Sequence, residues 1–409
     1  MGSIAYTVSS RRFLVLITYG LVNLTNGMLW VTFSPISDLV DDYFDDIGLT
    51  AVNMLGLVWC IGYLPGTVIG IMAIKKFDLR GGLLMGSALT VLGTIMRVIG
   101  CSFRGQLGAS GSYILVLFGQ ILGSLAQPVF ANTPAILAST WFSLSERDLA
   151  TTAASLFNLL GTALGQLMPA MFVKRKGGGS DIEGMADYML VQMGICAVAF
   201  ILALFFLYNK PSTPPSHSSA IRGSRSSTTA ALRAALLLHC DFDNGVFCEG
   251  AVIKDDAEPP REKPETAVAS SEIAHNIRKI SIIECEYDQL IEEIMSLRYN
   301  KGYLVLFLVF SVVFGTFSTV ITLLNQILDD HGYTNDDAGN FGASLIFAGM
   351  ISAGVCGFYL DRTHLYREAL VCSVIIAILF LTFFFSMIYK DNFILLFIAT
   401  GLLGAGIVF

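Results

Sequence analysis

GSYILVLFGQILGSLAQPVFANTPAILASTWF, residues 111–142, runs 32 residues without a charge and yet carries polar amides in its interior. An uncharged apolar run of more than ~18 residues is the mark of a helix that crosses a bilayer, where ~20 residues rising 1.5 Å each span the ~30 Å core. Gln120, Gln127 and Asn132 cannot be left against lipid, because an unpaired amide in hydrocarbon costs several kcal/mol. They must face other helices or a wet cavity. The expectation is therefore a transporter, with the rest of the chain supplying the wall of that cavity.

The composition agrees. The 409 residues are 54% hydrophobic and 14% charged, with mean hydropathy +0.67, against ~25% charged in a soluble protein. The net charge of −7 comes from acids grouped in loops, and no basic block of the kind that grips nucleic acid occurs. Cys60, Cys196, Cys356 and Cys372 fall in apolar runs, where cysteine is a small hydrophobe. Cys240, Cys248 and Cys285 lie in a segment placed below in the cytoplasm, and Cys101 has no evident partner, so no disulfide is expected. The apolar run after Arg11 and Arg12 is too long for a signal peptide and lacks a small-residue cleavage site, which makes it a retained first span.

Apolar spans can be drawn at 12–34, 51–74, 82–102, 112–142, 149–173, 187–208, 302–328, 338–360, 368–389 and 392–409. Arg11, Arg12, Lys75, Lys76, Arg80, Arg147, Arg362 and Arg367 fall on one side of this pattern. Asp38, Asp41, Asp42, Asp45, Asp46, Asp329, Asp330, Asp336 and Asp337 fall on the other. Basic residues resist translocation, so the N-terminus is assigned to the cytoplasm. Lys174, Arg175 and Lys176 break the rule.

The segment 209–300 is too rich in Ser, Pro and charge to enter lipid and separates six spans, within 11–208, from those in 301–409. Its start, PSTPPSHSSAIRGSRSSTT, reads as disordered. Its end, EIAHNIRKISIIECEYDQLIEEIMSLRYNKGY, has helical apolar spacing and reads as an amphipathic helix at the membrane surface that runs directly into the seventh span.

Several blocks are distinctive: LVWCIGYLPG (Leu57–Gly66), KFDLRG (Lys76–Gly81), GQILGSLAQP (Gly119–Pro128), ASTWF (Ala138–Phe142), TLLNQ (Thr322–Gln326), and AGM followed by CGFYLDRT (Ala348–Thr363). As an ordered set they resemble the feline leukaemia virus subgroup C receptor-related (FLVCR) family of the major facilitator superfamily. The resemblance implies an all-α polytopic membrane protein, a monomer without cofactors in which two six-helix bundles rock about a midplane site. It also carries the expectation that this chain is C-terminally truncated, with about ten of twelve transmembrane helices present and an incomplete C-terminal bundle. The insert HCDFDNGVFCEG, which has no counterpart in the family, is expected to share that origin.

Trp30, inside NGMLWVTFSP, has two readings: an interfacial anchor, or, as the resemblance implies, an aromatic facing a quaternary ammonium substrate, where a cation–π contact contributes ~0.5–2 kcal/mol. The family's aromatic pair before TLLNQ is here Phe317 followed by Ser318, which thins the cage. Gln127 and Asn158 match polar positions that face the cavity, and gluing helices together is their alternative role. Asn325 and Gln326 read as an external gate or as structural caps. At the opposite ends, Asp78, Arg80, Arg147, Asp361 and Arg362 match charged loops that hold the inward side closed in the superfamily.

Arg97 is the only charge well inside a span and reads as a structural residue that snorkels to the nearby membrane surface. No Asp, Glu or His falls in the middle of any span, which argues for facilitated rather than proton-coupled transport. Glycines four apart, Gly62, Gly66 and Gly70, then Gly161 and Gly165, read as close-packing faces. The substrate implied is choline or a related amine. Haem, the family's other substrate, would want basic groups in the cavity for its propionates. A receptor or scaffold that has lost transport is the reading from a different class. No enzyme is expected: no metal-ligand cluster, phosphate loop or Ser/His/Asp grouping is visible.

Overall fold

A computed structural model of the chain describes residues 9–176, 181–211, 213, 295–363, 365–390 and 392–407. Eleven helices are defined among them: α1 Arg11–Trp30, α2 Ser37–Tyr43, α3 Leu49–Ser102, α4 Arg104–Ala131, α5 Pro134–Trp141, α6 Arg147–Phe172, α7 Met185–Phe206, α8 Lys301–Asp329, α9 Asn335–Thr363, α10 Tyr366–Ile388 and α11 Phe393–Ile407. A two-stranded antiparallel hairpin, β1 Lys174–Arg175 and β2 Ile182–Glu183, joins α6 to α7. By contacts the chain divides into Met1–Ser224 with Val313–Phe409, and Arg225–Val312. The second unit is described only from residue 295, and there Asn300 Oδ1 accepts from the backbone N–H groups of Gly302 and Tyr303, capping α8.

Among the described residues, seven helical stretches are long and apolar enough to cross a membrane, and the 15-residue α11 is shorter. At 54 residues α3 is too long for one crossing, and it is two limbs. They meet at Asp78, whose φ of 60° and ψ of −178° interrupt the helix. Only there does the backbone leave the helical region, so KFDLRG is the corner between the second and third predicted spans.

Three expectations need correction. The predicted span 112–142 is not one helix: α4 stops at Ala131 and α5 starts at Pro134, whose missing N–H suits a first helical position. The first span ends at Trp30, and Asp38, Asp41 and Asp42 sit on the short helix α2 rather than in an open loop. The approach to the seventh span is not continuous, because a turn at residues 298–300 precedes α8. Nearly all of the segment 211–229, expected to be disordered, and of the expected amphipathic helix lies outside the described residues.

Three apolar clusters order unit 1 along its length. One gathers Val15, Leu16, Tyr19, Phe130, Trp141 and Phe142 at the end carrying Arg12. A second gathers Phe33, Ile36, Tyr43, Leu55 and Tyr188 at the end carrying Asp38. The third joins Trp30 and Trp59 to Phe317, Leu324, Phe341 and Leu345, and so ties α1 and α3 to α8 and α9. These ends are named below by Arg12 and Asp38.

The glycine faces do what their spacing implies. A Cβ at Gly66 would come within 2.7 Å of the Leu125 carbonyl, so this limb of α3 lies directly on α4. Gly161 meets the Leu24 carbonyl and so brings α6 onto α1. Of the basic residues that broke the charge rule, Arg175 is held by acids of the same end. Arg175 pairs with Asp38 at 3.6 Å and Asp42 at 2.5 Å, and Arg104 pairs with Asp45 at 2.6 Å. The acids of that end thus hold the hairpin's arginine and the one opening α4.

Candidate functional site

Trp30 closes α1 with its indole inward, 7% exposed, facing Phe317 of α8 with ring centroids 6.3 Å apart and planes tilted by 51°. It is not a membrane-belt residue. Phe317 is 5% exposed and stands 6.4 Å from Phe314. Ser318 is buried and its Oγ has no partner.

One turn below Trp30, Asn26 Nδ2 donates to the Gly123 carbonyl of α4 at 3.1 Å and to Thr90 Oγ1 at 3.2 Å. Trp59 of α3 lies over the same Gly123, since a Cβ there would stand 3.0 Å from its ring. Gly123 is therefore where α1, α3 and α4 converge, and any side chain would push the indole away.

On α4, Gln120 and Gln127 flank this point at i−3 and i+4, one face of a helix. Gln120 is 1% exposed and neither its Oε1 nor its Nε2 has a partner. Gln127 is half-buried with its Oε1 unpaired, and the Nε1–H of Trp59 is likewise buried and unpaired. Buried polar atoms are ordinarily satisfied, and an orphan costs about 1–3 kcal/mol. Several buried polar atoms on α3, α4 and α8 are thus left without a hydrogen-bond partner. Trp59 was not singled out in the sequence, although it stands in LVWCIGYLPG; Gln120 was noted only as an amide barred from lipid.

Asn158 goes elsewhere. Its Nδ2 donates to Asn23 Oδ1 at 2.9 Å and to the Asn23 carbonyl at 3.2 Å, while Asn23 Nδ2 donates to the Ala154 carbonyl at 3.0 Å. The pair locks α1 to α6, and its hydrogen-bonding capacity is largely spent there.

At the Asp38 end, α8 is held by five residues of the N-terminal half, Ser34, Ser37, Asp38, Asn53 and Gln166, with Asp38 Oδ1 accepting from Asn325 Nδ2 at 3.4 Å. Ser34 Oγ lies 2.7 Å from the Ile321 carbonyl and 2.6 Å from that of Thr322. Gln166 Nε2 donates to Ile321 O at 3.0 Å, and Asn325 Nδ2 donates to Ser37 Oγ at 3.1 Å. Gln326 and Asn53 exchange amide hydrogen bonds of 2.6 and 3.3 Å. These bonds join α8 to α1's turn, α2, α3 and α6, so this end is shut. Replacing Gln326 by Leu strands the Asn53 amide at a cost of about 1–3 kcal/mol. Maleimide labelling of a Thr322→Cys reporter is then expected to speed up about tenfold, a change worth 1.4 kcal/mol. An unchanged rate would show that the pair does not hold the end closed.

Of the charged residues expected to close the opposite end, three have contacts within their own halves. Arg80 Nη2 donates to the Leu204 carbonyl in the last turn of α7 at 2.9 Å, a favourable place for a cation. Arg147 Nη2 donates to the Ser139 carbonyl at 3.3 Å. Arg362 lies over Phe358 of its own helix at 4.3 Å. Asp78 forms the corner of α3, and nothing is described of the Asp361 side chain. Glu146 takes Arg12 at 3.0 Å. α6 and α9 touch near Gln166 and Gly339, while Leu149 and Val355, toward the Arg12 end, are 75% and 64% exposed.

Arg97 corrects a fourth expectation. It does not snorkel: it is 1% exposed, donates from Nη2 to Gln192 Oε1 at 2.9 Å, and sits 5.0 Å from the centre of the Phe33 ring. It lies behind the α1 turn, inside the N-terminal helices.

With this geometry described, similarity to known proteins can be stated. Solute carrier family 49 member A3 of Xenopus tropicalis is 29% identical over 399 residues, covering 96% of this chain and 68% of its own. Choline/ethanolamine transporter FLVCR1 of Mus musculus is 26% identical over 414 residues, covering 97% and 62%. The human choline/ethanolamine transporter FLVCR2 is 22% identical over 400 residues, covering 97% and 63%. This chain thus spans roughly two thirds of the length of those relatives. Among solved structures, the xylose transporter XylE from E. coli, in a partially occluded inward open conformation, superposes with a TM-score of 0.63 at 12% identity over 98% of this chain and 82% of its own, a likeness of fold. The family model of the Major Facilitator Superfamily matches residues 15–409, and the chain belongs to that superfamily.

Proposed function

We propose that this chain is a carrier that moves choline or a related small amine across a membrane by alternating access. The observation that carries the reading is the Trp30–Phe317 pair, 6.3 Å apart and buried between α1 and α8. A methylated ammonium cannot donate hydrogen bonds, so ring faces are its natural wall. Trp59, Gln120, Gln127 and Ser318 add a third ring and the polar atoms that a hydroxyl on the same molecule would satisfy. The names of the FLVCR relatives point to the same substrate class.

The charge pattern supports a cytoplasmic Arg12 end, with the Asp38 end opposite. The shut Asp38 end then corresponds to a state open toward the cytoplasm, with Ser34, Asn53, Asn325 and Gln326 as the outer gate. Asp78, Arg80, Arg147, Asp361 and Arg362 are the charges available to close the inner side when the halves rock the other way. Haem is disfavoured because Arg97, the one basic group within a span, lies behind Phe33 rather than on the cavity wall.

The spans of this sequence hold no central Asp, Glu or His, which supports movement down the electrochemical gradient of the substrate cation rather than coupling to protons. Cells expressing the full chain are expected to take up radiolabelled choline saturably, at a rate unaffected by a proton gradient imposed at fixed membrane potential. Uptake equal to that of untransfected cells, for choline and ethanolamine alike, would reject the substrate class. Stimulation of uptake by that proton gradient would reject the uncoupled mechanism.

A further inference from the structure

The guanidinium of Arg97 is buried in the second limb of α3 with one good hydrogen bond, to Gln192 Oε1, and its Nε and Nη1 have no partner. Among the described residues no carboxylate pairs with it. The Tyr188 hydroxyl, which accepts from Gln192, is a neutral phenol. Gln192 is itself pinned, because its Nε2 donates to Thr32 Oγ1 at 3.0 Å and to the Tyr188 hydroxyl at 2.8 Å. Its carbonyl is thereby committed to Arg97 and the rest of the cation is left unanswered. An uncompensated ion in such a place costs several kcal/mol. The face of Phe33, 5.0 Å away, offsets part of this through a cation–π contact.

We propose that Arg97 holds a small monovalent inorganic anion, of chloride size, inside the N-terminal helices and separate from the substrate seat. The unsatisfied N–H group at Nη1 gives it a donor of fixed direction, and the Phe33 ring lies over the guanidinium. The anion also has a route to the transport cycle. Phe33 directly precedes Ser34, whose hydroxyl meets the Ile321 and Thr322 carbonyls. Filling the site steadies the turn that shuts the Asp38 end.

The test is thermal melting of the purified full chain with chloride exchanged for gluconate at constant ionic strength. A ligand that binds only the folded state raises Tm with its concentration, so a saturable rise with chloride is expected, reproduced by bromide and absent with gluconate. Arg97→Gln is expected to abolish that dependence. Phe33→Leu, which uncovers the cation without removing it, is expected to move the midpoint to higher chloride, so the proposal stays testable if Arg97→Gln fails to fold. A wild-type Tm indifferent to halide would overturn it, leaving a cation solvated by water. The same halide response in Arg97→Gln, or an unmoved midpoint in Phe33→Leu, would overturn it as well.

Discussion

Trp30→Ala is expected to lower choline uptake at sub-saturating substrate by about tenfold. The estimate follows from the ring itself. A desolvated cation–π contact is worth about 0.5–2 kcal/mol, or roughly 2- to 30-fold in affinity, and Trp offers the best face. The indole also fills the space between α1 and α8, so its loss opens a cavity beside Phe317. Trp30→Phe separates the two contributions: it keeps a ring over the substrate and should retain most of the uptake, whereas Trp30→Leu keeps bulk without a π face and should resemble Ala. Uptake in Trp30→Leu matching the wild type, at equal surface expression, would show that the ring is packing and nothing more.

The second large effect is structural. Gly161 of α6 has no room for any side chain, because its Cβ would land on the carbonyl oxygen of Leu24 in α1. Backbone cannot move aside as a flexible side chain can, so Gly161→Ala should lie at or beyond the upper end of the 1–3 kcal/mol usual for overpacking. Gly161→Leu is expected to eliminate monodisperse protein on size exclusion. Gly194 of α7 is the control, since a Cβ there meets nothing within 4 Å, and Gly194→Ala should melt as the wild type does. Equal melting of the two alanine variants would mean that α1 and α6 are not in backbone contact.

The sequence carried the fold well because bilayer solvent imposes a coarse rule, length and apolarity, that needs no partner to be read. The positions of the helices followed from it. What it missed were breaks set by single residues. Nothing in composition distinguishes Asn132–Thr133 as the end of α4, and only Pro134 hinted at it. Arg97 was misjudged because distance along a helix says how far a cation is from the membrane surface but not which way its side chain points; Phe33 and Gln192 turn it inward.

The proposed site was half legible. Trp30 and Phe317 could be paired through the family resemblance, and the orphan atoms of Gln120 and Gln127 follow from their apolar setting. Asn158 could not be told from them by type, since the same amide serves as glue when another asparagine stands opposite it. Trp59 went unremarked because its role depends on Gly123, 64 positions away.

The chemistry of the two kinds of tie at the Asp38 end separates what travels together from what must come apart. Arg175 and Arg104 fasten α2 and its flank to their own half through ion pairs, which salt screens. The parting line along Ile321, Thr322, Asn325 and Gln326 is stitched chiefly by neutral amides, hydroxyls and carbonyls, to which ionic strength is almost indifferent. A change of salt therefore softens the lip of one half without unfastening the seam, and the timing of its opening is left to whatever occupies the seat beneath it.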